Sequence, residues 1–398
     1  MRGDLDTRRG WLTAFLGFVS MFVTVGTGYS YGVLVLPASR DLDLGQGAVS
    51  GVFALTVMVF FLMGAPAGML ADHLGARVVL LLGALTVGAG LWLTASAEGL
   101  PALYLGHGVL VGVAMSTTFI PMTAVVSALF ERHRSLAVGL AVSGIGLGIL
   151  VMAPVIAALI GALGWRDTYR LLAVVTTLLV LACVVLISAP PAHRGGGLTM
   201  GESMRERDYR LMYASQVLLS VAIFTPFAHL PAYAEESGIG AVEAAGLVGI
   251  VGAASVVGRL ALGPVADRVG LFHVYRACFV AVGVSFVLWL WPDVGYAGLA
   301  LHAVVFGVGY GGFVALLPGL VAQRFGTARL GGLLGVLYTS HVLGAGLGPL
   351  ATGLLIERLG YTPAGVAGLT AGLAGALVLG LLSRRVSRPA AQASPSPR

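Results

Sequence analysis

Ser255-Val-Val-Gly-Arg259-Leu-Ala-Leu-Gly-Pro-Val-Ala-Asp267-Arg-Val-Gly270 is the stretch on which the reading of this chain turns. It begins inside an apolar run and ends in a charged turn. Arg259 stands eight residues before Asp267. At about 1.5 Å per residue that is roughly 12 Å along a helix. No other charged side chain in the sequence lies so deep in an apolar run. In a bilayer an isolated guanidinium costs at least about 2.5–3.5 kcal/mol, and such a residue marks an ion or substrate path by default.

The composition puts that run in lipid. Of 398 residues, 58% are hydrophobic and only 10% charged, with mean hydropathy +0.95. A soluble domain carries about 25% charge, so the chain reads as an all-α polytopic membrane protein. Its 59 glycines suit helices that pack closely in lipid. There is no lysine; all 23 basic residues are Arg, and their placement follows topology, so the net charge of +6 does not point to nucleic acid. Cys183 and Cys278 fall inside apolar runs and read as packing residues with no disulfide. No cleavable signal peptide is visible. No metal cluster, nucleophile motif or phosphate loop is present, so neither an enzyme nor a bound cofactor is expected.

Twelve apolar runs are long enough to span a membrane, near 11–36, 48–71, 77–96, 101–129, 135–163, 168–189, 210–233, 243–266, 272–292, 295–322, 330–356 and 362–383. A polar stretch at 190–209 divides them six and six. The expected organisation is an N-terminal six-helix half over 1–189, a cytoplasmic linker over 190–209, a C-terminal half over 210–383 and a disordered cytoplasmic tail over 384–398. With the N-terminus inside, eighteen Arg and eight acids lie inside, four Arg and nine acids outside, giving +10 and −5. The positive-inside rule then places both termini in the cytoplasm of a bacterial-type plasma (inner) membrane. All 17 acids are used in that count, so none remains in the hydrocarbon region.

The halves repeat. Gly68-Met-Leu-Ala-Asp72-His-Leu-Gly75 matches Gly263-Pro-Val-Ala-Asp267-Arg-Val-Gly270 at an offset of 195. The same offset carries His107 onto His302, Phe130 onto Phe325, Arg134 onto Arg329 and Pro154 onto Pro349. Asp, His, Arg and Pro in one register indicate a parallel duplication, two six-helix halves about a pseudo-two-fold axis with a central site. In this register Arg259 falls on Gly64 and His341 on Gly146, so both polar groups belong to the C-terminal half alone.

The Gly-x-x-x-Asp-x-x-Gly turns resemble the loop motif of the major facilitator superfamily. Within it the chain resembles the monocarboxylate transporters and the neighbouring oxalate–formate exchangers. The residues that carry this are Gly258-Arg259…Gly263…Asp267, Ser135-Leu-Ala-Val-Gly139…Ser143-Gly144 and Tyr338-Thr-Ser-His341…Gly344. The resemblance implies the major facilitator fold and a carboxylate-binding role for Arg259. It implies a second cationic position at His341, where the exchangers carry lysine. It also implies gating roles for Asp72 and Asp267, with Arg77 and Arg268 close by. The chain departs from the animal carriers in having Ser255 where they have an acid, no lysine in the first helix, and only Gly10-Trp11 of their acidic-Gly signature.

Chemistry supports several of these positions. Arg stays charged and presents a planar fork that fits a carboxylate. His341 is titratable near neutral pH, and His229 is a second candidate for proton coupling. Tyr338 lies one turn from His341, on the same helical face. With Tyr29, Tyr31, Phe119 and Tyr310 it is expected to wall a small pocket. His107 and His302, as repeat mates, read as packing residues. The function expected is a proton-coupled symporter of a small carboxylate such as lactate or pyruvate, embedded in the lipid bilayer and acting as a monomer. An oxalate/formate-type exchanger or an amphipathic drug exporter is the alternative, and a non-transporting membrane sensor the reading from another class.

Overall fold

The computed structural model describes residues 6–188, 200–291 and 294–382. Among these residues the regular structure is entirely helical. That is what lipid requires, since an unpaired backbone N–H or C=O in hydrocarbon costs several kcal/mol and a helix pairs them within one segment. The spanning helices are α1 (Arg8–Tyr29, continued as Gly32–Asp41), α2 (Gln46–Leu62 with Gly64–Leu74), α3 (Ala76–Ala95), α4 (Leu100–Leu129), α5 (Arg134–Leu163) and α6 (Trp165–Leu186). After them come α7 (Arg207–Glu236), α8 (Ala241–Val269), α9 (Leu271–Leu290), α10 (Gly295–Phe325), α11 (Leu330–Leu359) and α12 (Tyr361–Gly380). Ten are long and apolar enough to cross a membrane by themselves, and the bent pair in α2 makes an eleventh. The remaining helix, α11, is apolar over Leu330–Ala345.

Several expected spans are interrupted. α1 breaks at Ser30 and Tyr31. α2 bends by 42° at Met63. The cause lies three residues on: Pro66 has no N–H for the Leu62 carbonyl, and its ring crowds that oxygen. α4 widens to π-helical winding over Tyr104–Val111. α9 ends in a 3-10 turn over Phe286–Leu290. A six-residue helix, Met200–Arg205, lies inside the stretch expected to be linker. Residues 189–199 and the tail expected from 384 onward fall outside the described residues.

The repeated Asp turns close on glycine in both halves. Gly75 (φ +89°) and Gly270 (φ +107°) adopt backbone conformations that a side chain would strain, and each starts the next helix at once. The halves then meet through close backbone contacts near these turns. A Cβ on Gly68 would fall 1.9 Å from the Gly331 carbonyl, and one on Gly139 would fall 2.2 Å from the Arg259 carbonyl. Small residues thus bring α2 against α11 and α5 against α8. Farther from the termini the α8 positions Gly246, Gly249 and Gly252 meet nothing within 4 Å. The close glycine contacts between the halves thus lie toward the end that carries the termini.

Candidate functional site

Arg259 projects from the middle of α8 and is 1% exposed. Its Nη1 donates to Ser255 Oγ at 3.0 Å, one turn back on the same helix. The Ser255 hydroxyl in turn donates to the Gly252 carbonyl at 2.7 Å, so its oxygen is free to accept from the guanidinium. Arg259 Nε is buried with no protein partner. The Tyr310 ring lies 5.6 Å from the guanidinium carbon. Among the described residues, the titratable side chains within electrostatic reach are Tyr29, Tyr310 and Tyr338, none of them a carboxylate.

Space for the guanidinium comes from α5. A Cβ on Gly146 would lie 2.6 Å from Arg259 Nη1. Gly146 is the repeat mate of His341, so the position that carries imidazole in one half is emptied in the other to admit the cation. Sequence reasoning registered this pairing as asymmetry and missed its use.

His341, on α11, is 3% exposed and faces the same cavity. Its Nδ1 lies 3.1 Å from Ser340 Oγ, while the Ser340 hydroxyl donates to the Leu337 carbonyl at 2.6 Å. Ser340 thus accepts, which assigns the proton to Nδ1 and leaves Nε2 as the basic nitrogen. Nε2 is buried with no protein partner. Phe61 and Phe313 stack on the imidazole at 5.2 and 5.6 Å between ring centres. Neither phenylalanine stands out in the sequence, because α2 and α10 each carry many apolar residues and only the fold aims these two at His341.

The cavity encloses about 30 Å³ and takes in Tyr29, Phe119, Tyr310 and Tyr338 beside Arg259 and His341. Room of that size holds about two waters. The Tyr338 hydroxyl is a third buried polar group there with no protein partner. Six of the seven residues picked from sequence for the pocket thus meet in one place, drawn from α1, α4, α8, α10 and α11. Tyr31 does not. Because α1 breaks immediately after Tyr29, Tyr31 turns into the N-terminal half and packs on His107 at 4.3 Å between ring centres. His107 bonds Thr56 Oγ1 at 3.1 Å, and its repeat mate His302 bonds the Ser285 carbonyl at 3.0 Å. His229 lies off the cavity beside Gly353 of α11.

At the end that carries the termini, Asp72 reaches across the halves. Its two oxygens accept the Gly331 and Gly332 N–H groups at 3.1 and 2.7 Å, at the start of α11 where the helix dipole favours an anion. Asp267 hydrogen-bonds the Ser135 side chain at the start of α5. The two arginines expected beside these acids do other things. Arg77 donates to the Ile187 carbonyl at the end of α6, and Arg268 is exposed. A further acid, passed over in the sequence, stands four residues before Gly10. Asp6 accepts N–H bonds from Glu131, Arg132 and His133 at 3.1–3.2 Å and contacts His133 Nδ1 at 3.1 Å. Partial burial works to raise its pKa, but the three backbone donors and His133 outweigh that and hold it below the ordinary carboxylate value.

The chain matches the family model described as Major Facilitator Superfamily over residues 14–306 and 262–397. It is 30% identical over 373 residues to human "Monocarboxylate transporter 11", covering 90% of this chain and 79% of that one. It is 28% identical to rat "Monocarboxylate transporter 3", covering 90% and 76%. "MFS-type transporter pynF" of Aspergillus niger is 27% identical, covering 80% and 75%. Among solved structures, the human organic anion transporter MFSD10 superposes with a TM-score of 0.73 at 16% identity, covering 94% of this chain and 99% of that one. The E. coli fucose:proton symporter FucP gives 0.71 at 16% identity, covering 93% and 98%. At such identities the superpositions speak for the fold alone. Fold, repeat and relatives agree: the chain belongs to the major facilitator superfamily, a family of transporters and not of enzymes, and is a relative of its monocarboxylate transporters.

Proposed function

We propose that this protein moves a small monocarboxylate of the lactate or pyruvate kind together with a proton, by alternating access. One observation carries the reading. A fully buried guanidinium with an unpartnered Nε shares a cavity with the Tyr338 hydroxyl and His341 Nε2, and among the described residues no carboxylate lines that cavity to neutralise it. A carboxylate would supply both the missing charge and the missing acceptors. Bound there, the anion favours the imidazolium form of His341, and by linkage the protonated site favours the anion. Proton and substrate then load together and leave together on the other side. The monocarboxylate transporters among the relatives support the choice of substrate class. The arginine count supports cytoplasmic termini in a plasma (inner) membrane, and the completeness of the cavity within one chain supports a monomer. An oxalate-type exchanger ranks second, because a dianion wants two permanent cations and His341 replaces one of them.

The test is uptake of labelled lactate and pyruvate into proteoliposomes with and without an inward proton gradient. Wild type is expected to accumulate substrate only with the gradient, and affinity to tighten as pH falls from about 7.5 to 5.5. Arg259→Lys keeps the charge without the fork and is expected to reduce uptake at least tenfold, an order-of-magnitude expectation. His341→Gln removes titration and should flatten the pH dependence, while His341→Lys should improve acceptance of oxalate. Undiminished uptake by Arg259→Ala would overturn the substrate site. Unchanged pH dependence in His341→Gln would move the proton to His229 or to the acid itself.

A further inference from the structure

The walls of the cavity say more about the substrate than its cation does. We infer that, among monocarboxylates, the preferred substrate is an aryl one with a flat apolar body, and that aliphatic hydroxy acids such as lactate, and dicarboxylates, are carried but held more weakly. This rests on the monocarboxylate reading of Arg259 and narrows it.

The buried polar atoms in the cavity that lack a protein partner are Arg259 Nε, Tyr338 Oη and His341 Nε2. A carboxylate offers about four lone-pair positions and, with His341 protonated, accepts from all three. A second carboxylate would then find no second permanent cation among the residues that line the cavity, and a buried charge left unpaired is penalised. A hydrocarbon body carries no such penalty.

The shape of the wall points to a ring. The halves meet across the cavity through aromatic contacts. Phe119 of α4 lies edge-on to Tyr338 of α11 at 5.0 Å. Phe61 of α2 lies edge-on to Phe224 of α7 at 5.9 Å and stacks on His341. The enclosed 30 Å³ is too small for a ring, so a ligand of this class must part the halves at these contacts. An aromatic body inserted there replaces each ring–ring contact it breaks with one to itself, in the edge-to-face and offset geometries such rings favour. An aliphatic hydroxy acid offers no such replacement.

The experiment is equilibrium binding to the purified full-length protein of phenylacetate, cyclohexylacetate, lactate and malonate at pH 5.5, in wild type, Arg259→Ala, Phe119→Leu and Phe224→Leu. Wild type is expected to bind phenylacetate at least tenfold more tightly than lactate, with cyclohexylacetate between them and malonate weakest. Phe119→Leu and Phe224→Leu should each narrow the ratio of phenylacetate to lactate affinity. Two variants are used so that one that fails to fold leaves the other. Lactate binding as tightly as phenylacetate, or a ratio unmoved in the folded phenylalanine variants, overturns the aryl preference. If Arg259→Ala weakens all four acids while the series is flat, only this inference falls. If Arg259→Ala binds them as wild type does, the monocarboxylate reading falls with it.

Discussion

Gly146 shows how little room the central cation has. Its α-hydrogens face Arg259 Nη1 and the Val256 side chain, and a Cβ would come within 2.6 and 2.8 Å of them. The guanidinium is also tied to Ser255, so it cannot swing freely away. Gly146→Ala is therefore expected to push the fork off its position and to lower carboxylate affinity at least tenfold, roughly the loss expected for a misdirected bidentate contact. Binding measured beside thermal stability checks this. Affinity like that of wild type in a folded Gly146→Ala protein would show that the guanidinium has other room. Ser255 is a related case. Where the animal carriers have an acid, this chain has a hydroxyl that accepts from Arg259 without neutralising it, which keeps the charge available to an anion.

Helix ends carry contacts that join the two halves at the end of the termini. Asp72 caps α11 across the halves, and Asp267 engages the start of α5. Neither touches the cavity. Asp72→Asn and Asp267→Asn are expected to slow turnover severalfold by shifting the balance between open and closed forms, with substrate affinity changed far less than by Arg259→Lys. Transport rates unaltered in both would remove the gating role. Asp6 acts within the N-terminal half, tying the start of α1 to the turn between α4 and α5. Its pKa is lowered on folding, so its contribution to stability is full above the ordinary Asp value of about 3.9 and is lost as pH falls through the lower folded value. The melting difference between wild type and Asp6→Ala should therefore be constant from pH 7 to about 5 and shrink below about pH 4. A difference that stays constant to pH 3 would mean that the carboxylate is not held as described.

Across the whole molecule, the tight glycine contacts between the two halves gather toward the end of the termini, while Gly246, Gly249 and Gly252 on the outer half of α8 meet nothing within 4 Å. Gly252 lies seven residues before Arg259, two turns farther out on the same helical face. A cysteine placed there should line the approach to the cavity. In a background without Cys183 and Cys278, Gly252→Cys is expected to react with a membrane-impermeant maleimide applied from outside, and Arg268→Cys only from inside. Substrate that favours the opposite conformer should slow the first reaction. Labelling of Arg268→Cys from outside would reverse the proposed orientation.

Much of this protein is legible without coordinates because lipid leaves few choices. Apolar length and low charge dictate spanning helices, and the 195-residue register between Asp72 and Asp267 exposes the duplication. A lone arginine in hydrocarbon announces itself by its cost. Other features depended on where helices bend and which faces they turn. Both Tyr29 and Tyr31 are tyrosines in one apolar run, yet the break at Ser30 sends one to the cavity and the other to His107. Phe61 and Phe313 are two apolar residues among many until α2 and α10 bring them into stacking contact with His341. Arg77 sits near Asp72 in sequence, but in space it caps α6 through Ile187. Local sequence sets helix, turn and burial because those follow from backbone pairing and transfer out of water. Which side chains meet across the halves follows from helix crossings, and these depend on contacts such as Gly139 against Arg259 between residues far apart in the chain.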